Sequence, residues 1–207
     1  MIKTVFFDLG NVLVFFSRPK MMAQLSACTG LSPEKIHDLF FNRRWLELYE
    51  TGRISTEEIY RKFSALSPRS FTLPELLDAA SSIFTPNTEL YPLVESLKKN
   101  QIRLILLSNT SECHFNRAYS DYPVLRLFDH KILSYEVGAC KPDPRIFQKA
   151  LASALCAPSE CFYTDDIPEF ILGAQKAGLD GELFTNVPSL RAQLLSRGCA
   201  FLYTQTT

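Results

Sequence analysis

The chain has 207 residues, of which 46% are hydrophobic and 21% charged, as is typical of one globular domain or of a domain with a modest insertion. Basic and acidic residues number 22 each, so no positive excess favours nucleic acid or a membrane surface as a partner. No apolar run is long enough to span a bilayer, and Asp8 interrupts the apolar N-terminal stretch that resembles a signal peptide. We therefore expect a cytoplasmic protein.

The six cysteines and three histidines do not form a recognisable framework. No two cysteines make a Cys-x-x-Cys pair, and the histidines lack the spacing of zinc ligands. Scattered and mostly buried thiols are the expected arrangement for a chain of this kind.

The first predicted element is a strand at Thr4–Phe7, and Asp8-Leu9-Gly10 follows it directly. A carboxylate at the end of an apolar strand, next to a glycine-containing turn, indicates a nucleophile or a metal ligand. Taken alone, Asp8 is equally compatible with a turn or capping residue.

The segment from about Arg18 to Phe84 carries helix signals and no convincing strand. Capping boxes begin at Ser55 and Thr72, a cap precedes a first-turn proline at Ser32-Pro33, and Gly30 and Gly52 stand where helices would stop. A block of about four helices, inserted after the first strand, is therefore predicted. One of these helices is expected to carry a cluster of basic and aromatic residues, namely Arg43, Arg44, Trp45 and Tyr49.

Strands and helices alternate in the remainder of the chain. Further strands are predicted at Ile102–Leu107, Lys131–Tyr135, Cys161–Thr164 and Gly181–Phe184. Helices are predicted at Glu89–Lys99, Ser111–Tyr119, Pro144–Leu155, Pro168–Ala177 and Ser189–Leu195. This order predicts an α/β fold in which helices cover both faces of a parallel sheet.

Polar residues follow three of the predicted strands and should meet at one edge of the sheet. They are Asp8, Ser108 and the pair Asp165-Asp166, and Lys141 precedes a helix that reaches the same edge. Carboxylates, a hydroxyl at a helix start and a lysine together predict a site for phosphate and Mg²⁺. Each residue also has an ordinary reading, as a helix cap for Ser108 and the aspartates and as a solvated surface residue for Lys141.

Four segments in chain order resemble the motifs of the haloacid dehalogenase-like (HAD) hydrolases. They are VFFDLGNVL at 5–13, LILLSNT at 104–110, KPDPRIF at 141–147 and FYTDD at 162–166. The resemblance covers essentially the whole chain. It implies a Rossmann-like core at residues 1–17 and 85–207 and an inserted α-helical cap at 18–84. A bacterial subgroup that includes α-D-glucose-1-phosphate phosphatase is similar in its FDLGNV, SNT and double-aspartate motifs, and in the cap segment Glu50-Thr51-Gly52-Arg53-Ile54-Ser55.

The resemblance implies a role for each matching residue in a Mg²⁺-dependent phosphatase of a small phosphorylated metabolite. Asp8 would form an aspartyl-phosphate, while Ser108, the Asn109 amide and Lys141 would hold the phosphoryl group. Asp8, the main-chain carbonyl of Gly10 and Asp165 would bind Mg²⁺, with Asp166 in support. A monomer or homodimer is expected, with no nucleic-acid or membrane partner.

Gly10 is the departure from the usual Asp-x-Asp pattern of these phosphatases. The second aspartate normally protonates the leaving oxygen and later activates water, and glycine has no group for either task. Losing acid–base help costs on the order of 10²–10⁴ in rate, and least for leaving groups that depart readily. His114, which matches a histidine of the subgroup, is a candidate substitute because imidazole titrates near neutral pH. Its alternative is a histidine that packs in a helix.

Two other functions are compatible with the sequence. A weak or inactive HAD protein would bind a phosphorylated ligand or a protein partner, although retention of Asp8, Ser108, Lys141 and Asp165 argues against it. A metal-independent haloacid dehalogenase also lacks the second aspartate of the first motif, but the pair Asp165-Asp166 favours a bound cation.

Overall fold

The protein, described by a computed structural model at residues 1–205, is built on a parallel sheet. Its strands are β1 Thr4–Phe7, β2 Val14–Phe16, β3 Phe84–Pro86, β4 Arg103–Ser108, β5 His130–Leu133, β6 Cys161–Asp165 and β7 Gly181–Leu183. Five of them form the sheet in the order β5-β4-β1-β6-β7, and each neighbouring pair is parallel. The predicted α/β fold is thereby confirmed.

Five helices and one π-helical turn at Asp38–Asn42 lie between β2 and β3. The helices are α1 Arg18–Thr29, α2 Pro33–His37, α3 Trp45–Glu50, α4 Thr56–Leu66 and α5 Leu73–Ser81. Reciprocal side-chain bonds at Ser55–Glu58 and Thr72–Glu75 confirm both predicted capping boxes. Gly30 ends α1 with a left-handed φ of 71°, a conformation that favours glycine.

The core helices are α6 Tyr91–Lys99, α7 Glu112–Asp121, α8 Ser134–Val137, α9 Pro144–Ser153, α10 Pro168–Lys176 and α11 Val187–Ser196. They cover the sheet on both faces because successive residues of a strand point to opposite sides. Val5 and Phe7 pack in one buried cluster with α6 and α11, whereas Phe6 packs in another with α9 and α10. Full burial on both faces explains why these strands are apolar at every position.

The inserted helices have a core of their own. Its buried members include Leu25, Trp45, Ile59 and Phe63, and one residue of the sheet domain, Cys113 on α7, also joins it. The inserted helices are called the cap below. The predicted division at 17/18 and 84/85 stays a prediction.

The strands depart from the prediction in two places. Val14–Phe16 and Phe84–Pro86 form a two-stranded antiparallel sheet where the cap leaves and rejoins the core. The sequence did not predict it, because each strand is too short to give a clear pattern. The strand predicted to reach Tyr135 ends at Leu133, and Ser134 starts α8 because its hydroxyl exchanges two bonds with the main chain of Thr110.

The predicted helix carrying Arg43 and Arg44 begins after both of them. Arg44 has a left-handed φ of 58°, and the two exposed arginines pair with Asp38 and Glu47 on the surface. The cap also has five α-helices rather than about four. Within residues 1–205 there is no helix with the length and apolarity that a membrane crossing requires. All six cysteines are free thiols.

Candidate active site

The ends of β4, β1 and β6 bring Asp8, Ser108 and Asp165 to one edge of the sheet. β1 pairs with both neighbours in parallel register, and the N–H of Asp8 continues the ladder by bonding the Thr164 carbonyl at 3.1 Å. All three side chains are buried, Asp8 at 7% exposure and Asp165 at 0%. The sequence predicted this meeting of residues, and the structure contains it.

Lys141 reaches into this edge and bonds three oxygen atoms. Its Nζ lies 2.9 Å from Oδ1 of Asp8, 2.5 Å from Oδ2 of Asp165 and 3.0 Å from the carbonyl of Leu107. The side chain is fully buried, so the ammonium group holds two carboxylates in a site with little water. Such pairing holds charged groups in a fixed geometry more than it stabilises the fold.

The pKa values of Asp8 and Lys141 reflect their burial and the charges they exert on each other. Burial raises the pKa of Asp8 to about 7, the charge of Asp165 adds to the rise, and Lys141 opposes it. Burial alone would lower the pKa of Lys141, but the two carboxylates raise it above its usual value. A single lysine therefore does not neutralise this cluster.

The acidic cluster fits a divalent cation. Asp8, Asp165 and Asp166 each offer a carboxylate oxygen, and these atoms lie within 4.8 Å of one another. Asp165 is fixed by the hydroxyl of Tyr163 and by the N–H of Ile167. Oxygen ligands and unbalanced negative charge are what a hard cation requires. Gly10, Asp8 and Asp166 line one cavity.

Asn109 holds the main chain of Lys141. Its Nδ2 donates to the Lys141 carbonyl at 3.0 Å, and its Oδ1 accepts from the Lys141 N–H at 2.7 Å. The predicted phosphate ligand Asn109 thus has a side chain committed to positioning the lysine. Only its main-chain amide remains in the predicted phosphate-binding role, beside the buried Ser108.

A cavity of about 280 Å³ opens over this edge, between the core and the cap. Its core wall is formed by Asp8, Gly10, Ser108, Asn109, Lys141 and Asp166. Its cap wall is formed by Arg18, Met21, Leu46, Glu50 and Ile83.

The sequence model of the haloacid dehalogenase-like hydrolase family matches residues 2–178 of the chain. The chain belongs to this family. D-ribitol-5-phosphate phosphatase of Bacteroides thetaiotaomicron is 27% identical over 174 residues, 80% of this chain and 84% of that protein. Flavin mononucleotide hydrolase 1 of Arabidopsis thaliana is 25% identical over 199 residues, 91% of this chain and 70% of that protein.

Solved structures of HAD-like hydrolases share the fold. One from Porphyromonas gingivalis has a TM-score of 0.78 at 25% identity and covers 94% of this chain and 98% of its own. A HAD family enzyme from Bacteroides thetaiotaomicron, solved as a magnesium complex, has a TM-score of 0.77 at 25% identity and covers 89% of this chain and 93% of its own.

In this HAD-like hydrolase, an aromatic ring adjoins the position of the absent second aspartate. A Cβ atom at Gly10 would lie 2.9 Å from Cε1 of Phe16 on β2, closer than van der Waals contact. The Arg18 guanidinium lies over the same ring, 5.8 Å from its centre. Position 10 therefore lacks both an acid and the space for one, unless Phe16 turns away.

His114 lines the cavity but has its proton committed elsewhere. Its Nε2 lies 3.1 Å from the carbonyl of Ala80 in the cap, and since a carbonyl only accepts, Nε2 is the donor. Burial lowers the pKa of His114 to about 4. The histidine is therefore neutral at physiological pH and joins α7 to the cap.

Glu50 is a cavity residue that the sequence did not assign to the site, and Arg18 at the start of the cap lines the same cavity. Glu50 lies in the cap segment that resembles the bacterial subgroup, and this resemblance was the one available signal. Burial raises the pKa of Glu50 to about 7, Arg18 opposes the rise and Glu47 adds to it.

Proposed function

We propose that this chain is a Mg²⁺-dependent phosphatase of small phosphorylated metabolites that reacts through an aspartyl-phosphate on Asp8. The observation that carries the proposal is the buried arrangement of Asp8, Lys141 and Asp165 at the base of a cavity. Names of relatives support it, since D-ribitol-5-phosphate phosphatase and flavin mononucleotide hydrolase describe enzymes of small phosphorylated compounds.

Asp8 is the nucleophile in this proposal. Its carboxylate attacks phosphorus, the bond to the leaving oxygen breaks, and water later hydrolyses the acyl phosphate. Lys141 holds one oxygen of Asp8 at 2.9 Å, so the nucleophile has a fixed orientation. The ammonium group also offsets negative charge as the phosphoryl group approaches.

The remaining core-wall residues bind the phosphoryl group and the metal. The Ser108 hydroxyl and the Asn109 main-chain amide, at the end of β4, would donate to phosphoryl oxygens. Asp8, the Gly10 carbonyl and Asp165 would hold Mg²⁺, and Asp166 would support them. Bound Mg²⁺ would neutralise charge on the carboxylates and the phosphate.

The cavity limits the size of the substrate. About 280 Å³ between the two walls accommodates a compact metabolite such as a sugar phosphate, near the lower limit of typical ligand pockets. Position 10 carries no acid, so without another proton donor the site favours leaving groups that depart readily, such as an anomeric oxygen. A monomer or homodimer in the cytoplasm remains the expectation.

The test is phosphate release from 4-nitrophenyl phosphate, with and without Mg²⁺, by wild type and Asp8→Asn. We expect Mg²⁺-dependent release in wild type and its loss in Asp8→Asn, whose amide oxygen still accepts from Lys141. Thermal unfolding of both proteins checks that the variant folds. Equal release without Mg²⁺, or full activity of Asp8→Asn, would contradict the proposal.

A further inference from the structure

The cap wall carries an acidic side chain that the proposed reaction does not use. Among the described residues that line the cavity, carboxyl groups come from Asp8 and Asp166 on the core wall and from Glu50 on the cap wall. Asp8 is the proposed nucleophile, and Asp166 accepts a bond from Asn11 and belongs to the carboxylate cluster. Glu50 is the remaining carboxyl group.

The location of Glu50 matches the place where a proton is needed. The phosphoryl group binds against the core wall, so the rest of the substrate must extend toward the cap wall. The leaving oxygen joins these two parts. A donor at position 10 is absent, and the Nε2–H of His114 is already hydrogen-bonded to the Ala80 carbonyl.

We propose that Glu50 is the acid–base residue of this enzyme and supplies from the cap the proton that position 10 lacks. The inference rests on the proposed phosphatase function. It assigns the leaving-group step to a side chain outside the four motifs.

The main chain at Glu50 is attached to the loop that carries Lys141. The Cys140 thiol donates to the Glu50 carbonyl at 3.8 Å, and Cys140 immediately precedes Lys141. The end of α3 is therefore connected, through one residue, to the lysine that holds the nucleophile.

A second contact fixes the turn that follows Glu50. Gly52 packs so closely against α8 that a Cβ atom there would lie 2.2 Å from the Tyr135 carbonyl, and its φ is 65°. Only glycine permits both the close approach and the left-handed backbone. The contact holds the turn after α3 directly against α8.

Side-chain bonds between cap and core hold this arrangement closed. Tyr49 immediately precedes Glu50 in the chain, and its hydroxyl accepts a hydrogen bond from the Cys113 N–H at 3.4 Å. The Thr56 hydroxyl at the start of α4 donates to Glu112 on α7. Glu50 is thus held over the cavity from both of its chain directions.

The charges around Glu50 make both of its protonation states accessible near neutral pH. Burial raises its pKa to about 7, Arg18 on α1 favours the ionised form and Glu47 on α3 disfavours it. On the loop after α8, burial and the Glu50 charge raise the pKa of the Cys140 thiol to about 11. A group that both gives and takes a proton works best with a pKa near the working pH.

The proton balance of the two half-reactions is complete with Glu50 alone. In the first, Asp8 bonds to phosphorus, the bond from phosphorus to the leaving oxygen breaks, and that oxygen takes the Glu50 proton. In the second, ionised Glu50 takes a proton from water, whose oxygen attacks phosphorus. The bond to Asp8 then breaks, phosphate leaves, and Glu50 is protonated again.

The experiment compares Glu50→Gln with wild type on two aryl phosphates. Phenyl phosphate needs a proton on its leaving oxygen, whereas 4-nitrophenyl phosphate needs almost none. We expect Glu50→Gln to lower kcat/KM for phenyl phosphate by about 10²-fold, and for 4-nitrophenyl phosphate by far less. With 4-nitrophenyl phosphate in excess, the variant should release one equivalent of 4-nitrophenolate in a burst, because the acyl phosphate is then hydrolysed slowly.

Glu57→Gln is the matched control, because Glu57 is an exposed glutamate on α4 of the same cap. It should leave both kcat/KM values unchanged. Glutamine retains the size of Glu50 and removes a partly buried charge, so thermal unfolding should show an intact fold. Glu50→Asp keeps the acid and should retain more activity on phenyl phosphate than Glu50→Gln, a rescue that a purely structural role does not predict.

The outcomes separate this inference from the function on which it rests. If wild type shows no Asp8-dependent release from either compound, the proposed function itself is wrong. If wild type hydrolyses both and Glu50→Gln lowers kcat/KM equally for both, or for neither, the phosphatase stands and the role of Glu50 is refuted.

Discussion

The two walls of the cavity are built in different ways. On the core wall, Lys141 joins Asp8 to Asp165, and Asn109 holds Lys141, so each group is fixed by another element of the sheet. On the cap wall, Arg18 and Glu50 lie on separate helices and influence each other through charge. Hydrogen bonds between side chains therefore fix the functional groups of the core wall, whereas Glu50 on the cap wall is held through its main chain and the turn that follows it.

This difference extends to position 10. Gly10 is part of the core wall, but the space beside it is occupied by Phe16. Phe16 lies on β2, the strand that leads into the cap. The glycine at position 10 of the first motif is therefore accompanied by a bulky residue outside that motif, in the space that a side chain at position 10 would need. Four variants test how separate the two walls are, and they are ordered by the size of the expected effect.

Replacing Lys141 should cause the largest loss. Lys141→Met leaves the buried carboxylates of Asp8 and Asp165 without their cation, a change that costs about 3–5 kcal/mol in the free energy of unfolding. We expect kcat to fall by about 10²–10³-fold as well. Urea unfolding and phosphate release measure the two effects. Lys149→Met, at an exposed lysine on α9, should change neither.

Asn109→Ala tests the rigidity of the core wall without removing a charge. It deletes two hydrogen bonds to the Lys141 main chain, each contributing about 1 kcal/mol to stability. Because Lys141 then loses its fixed position, we expect kcat to fall by about 10–100-fold. Asn100→Ala removes one bond, to the Ser96 carbonyl on α6, and should leave kcat intact. A similar kcat for both variants would contradict a positioning role.

The sequence predicts the core wall well because its residues follow strands. An apolar run ending in Asp8, Ser108 or Asp165 announces both the strand and its polar end, and parallel pairing then brings the ends together. The bonds that complete the wall were not predictable in the same way. Asn109 and Lys141 are 32 residues apart, and nothing in either motif specifies that their side chain and main chain meet.

The cap wall was less predictable for a different reason. Helix signals located most of the cap helices, but the position of Glu50 depends on how the cap packs on the core, through the contact of Gly52 with Tyr135. Such a contact joins segments more than 80 residues apart and has no local pattern. β2, which carries Phe16, and its partner β3 have three residues each. Strands this short show no clear alternation of apolar and polar residues.

Gly10→Asp tests whether position 10 still limits the reaction. In the Glu50→Gln background, where no other acid supplies the leaving-group proton, we expect Gly10→Asp to raise kcat/KM for phenyl phosphate on the order of tenfold. The gain stays below the full effect of an acid–base group because the new carboxyl group would need the space of Phe16. Adding Phe16→Leu should increase the gain, since a smaller side chain frees that space. Gly10→Ala, which adds bulk without an acid, should give no gain in kcat/KM.

An unchanged rate for Gly10→Asp in the Glu50→Gln background, with and without Phe16→Leu, would show that an acid at position 10 does not supply the leaving-group proton. The hypothesis of a missing proton donor at position 10 would then be wrong. If the added acid restores phenyl phosphate hydrolysis to Glu50→Gln, the two positions supply the same proton.

His114→Gln should affect pH-dependent stability more than activity. The pKa of His114 is lowered to about 4 in the folded protein from its ordinary 6.5. Between these values the unfolded chain binds a proton that the folded protein does not, so wild type loses stability as the pH falls through this range. The full loss is on the order of 3 kcal/mol.

Glutamine has no such proton to bind, but its amide still donates to the Ala80 carbonyl. The free energy of unfolding of His114→Gln should therefore fall less steeply than that of wild type between pH 6.5 and 4, as measured by urea unfolding. His130→Gln, at an exposed histidine on β5, should retain the wild-type slope. Because His114 is neutral and bonded to the cap, kcat of His114→Gln should stay near wild type, whereas a loss of about 10²-fold on phenyl phosphate would show that the histidine takes part in the proton transfer.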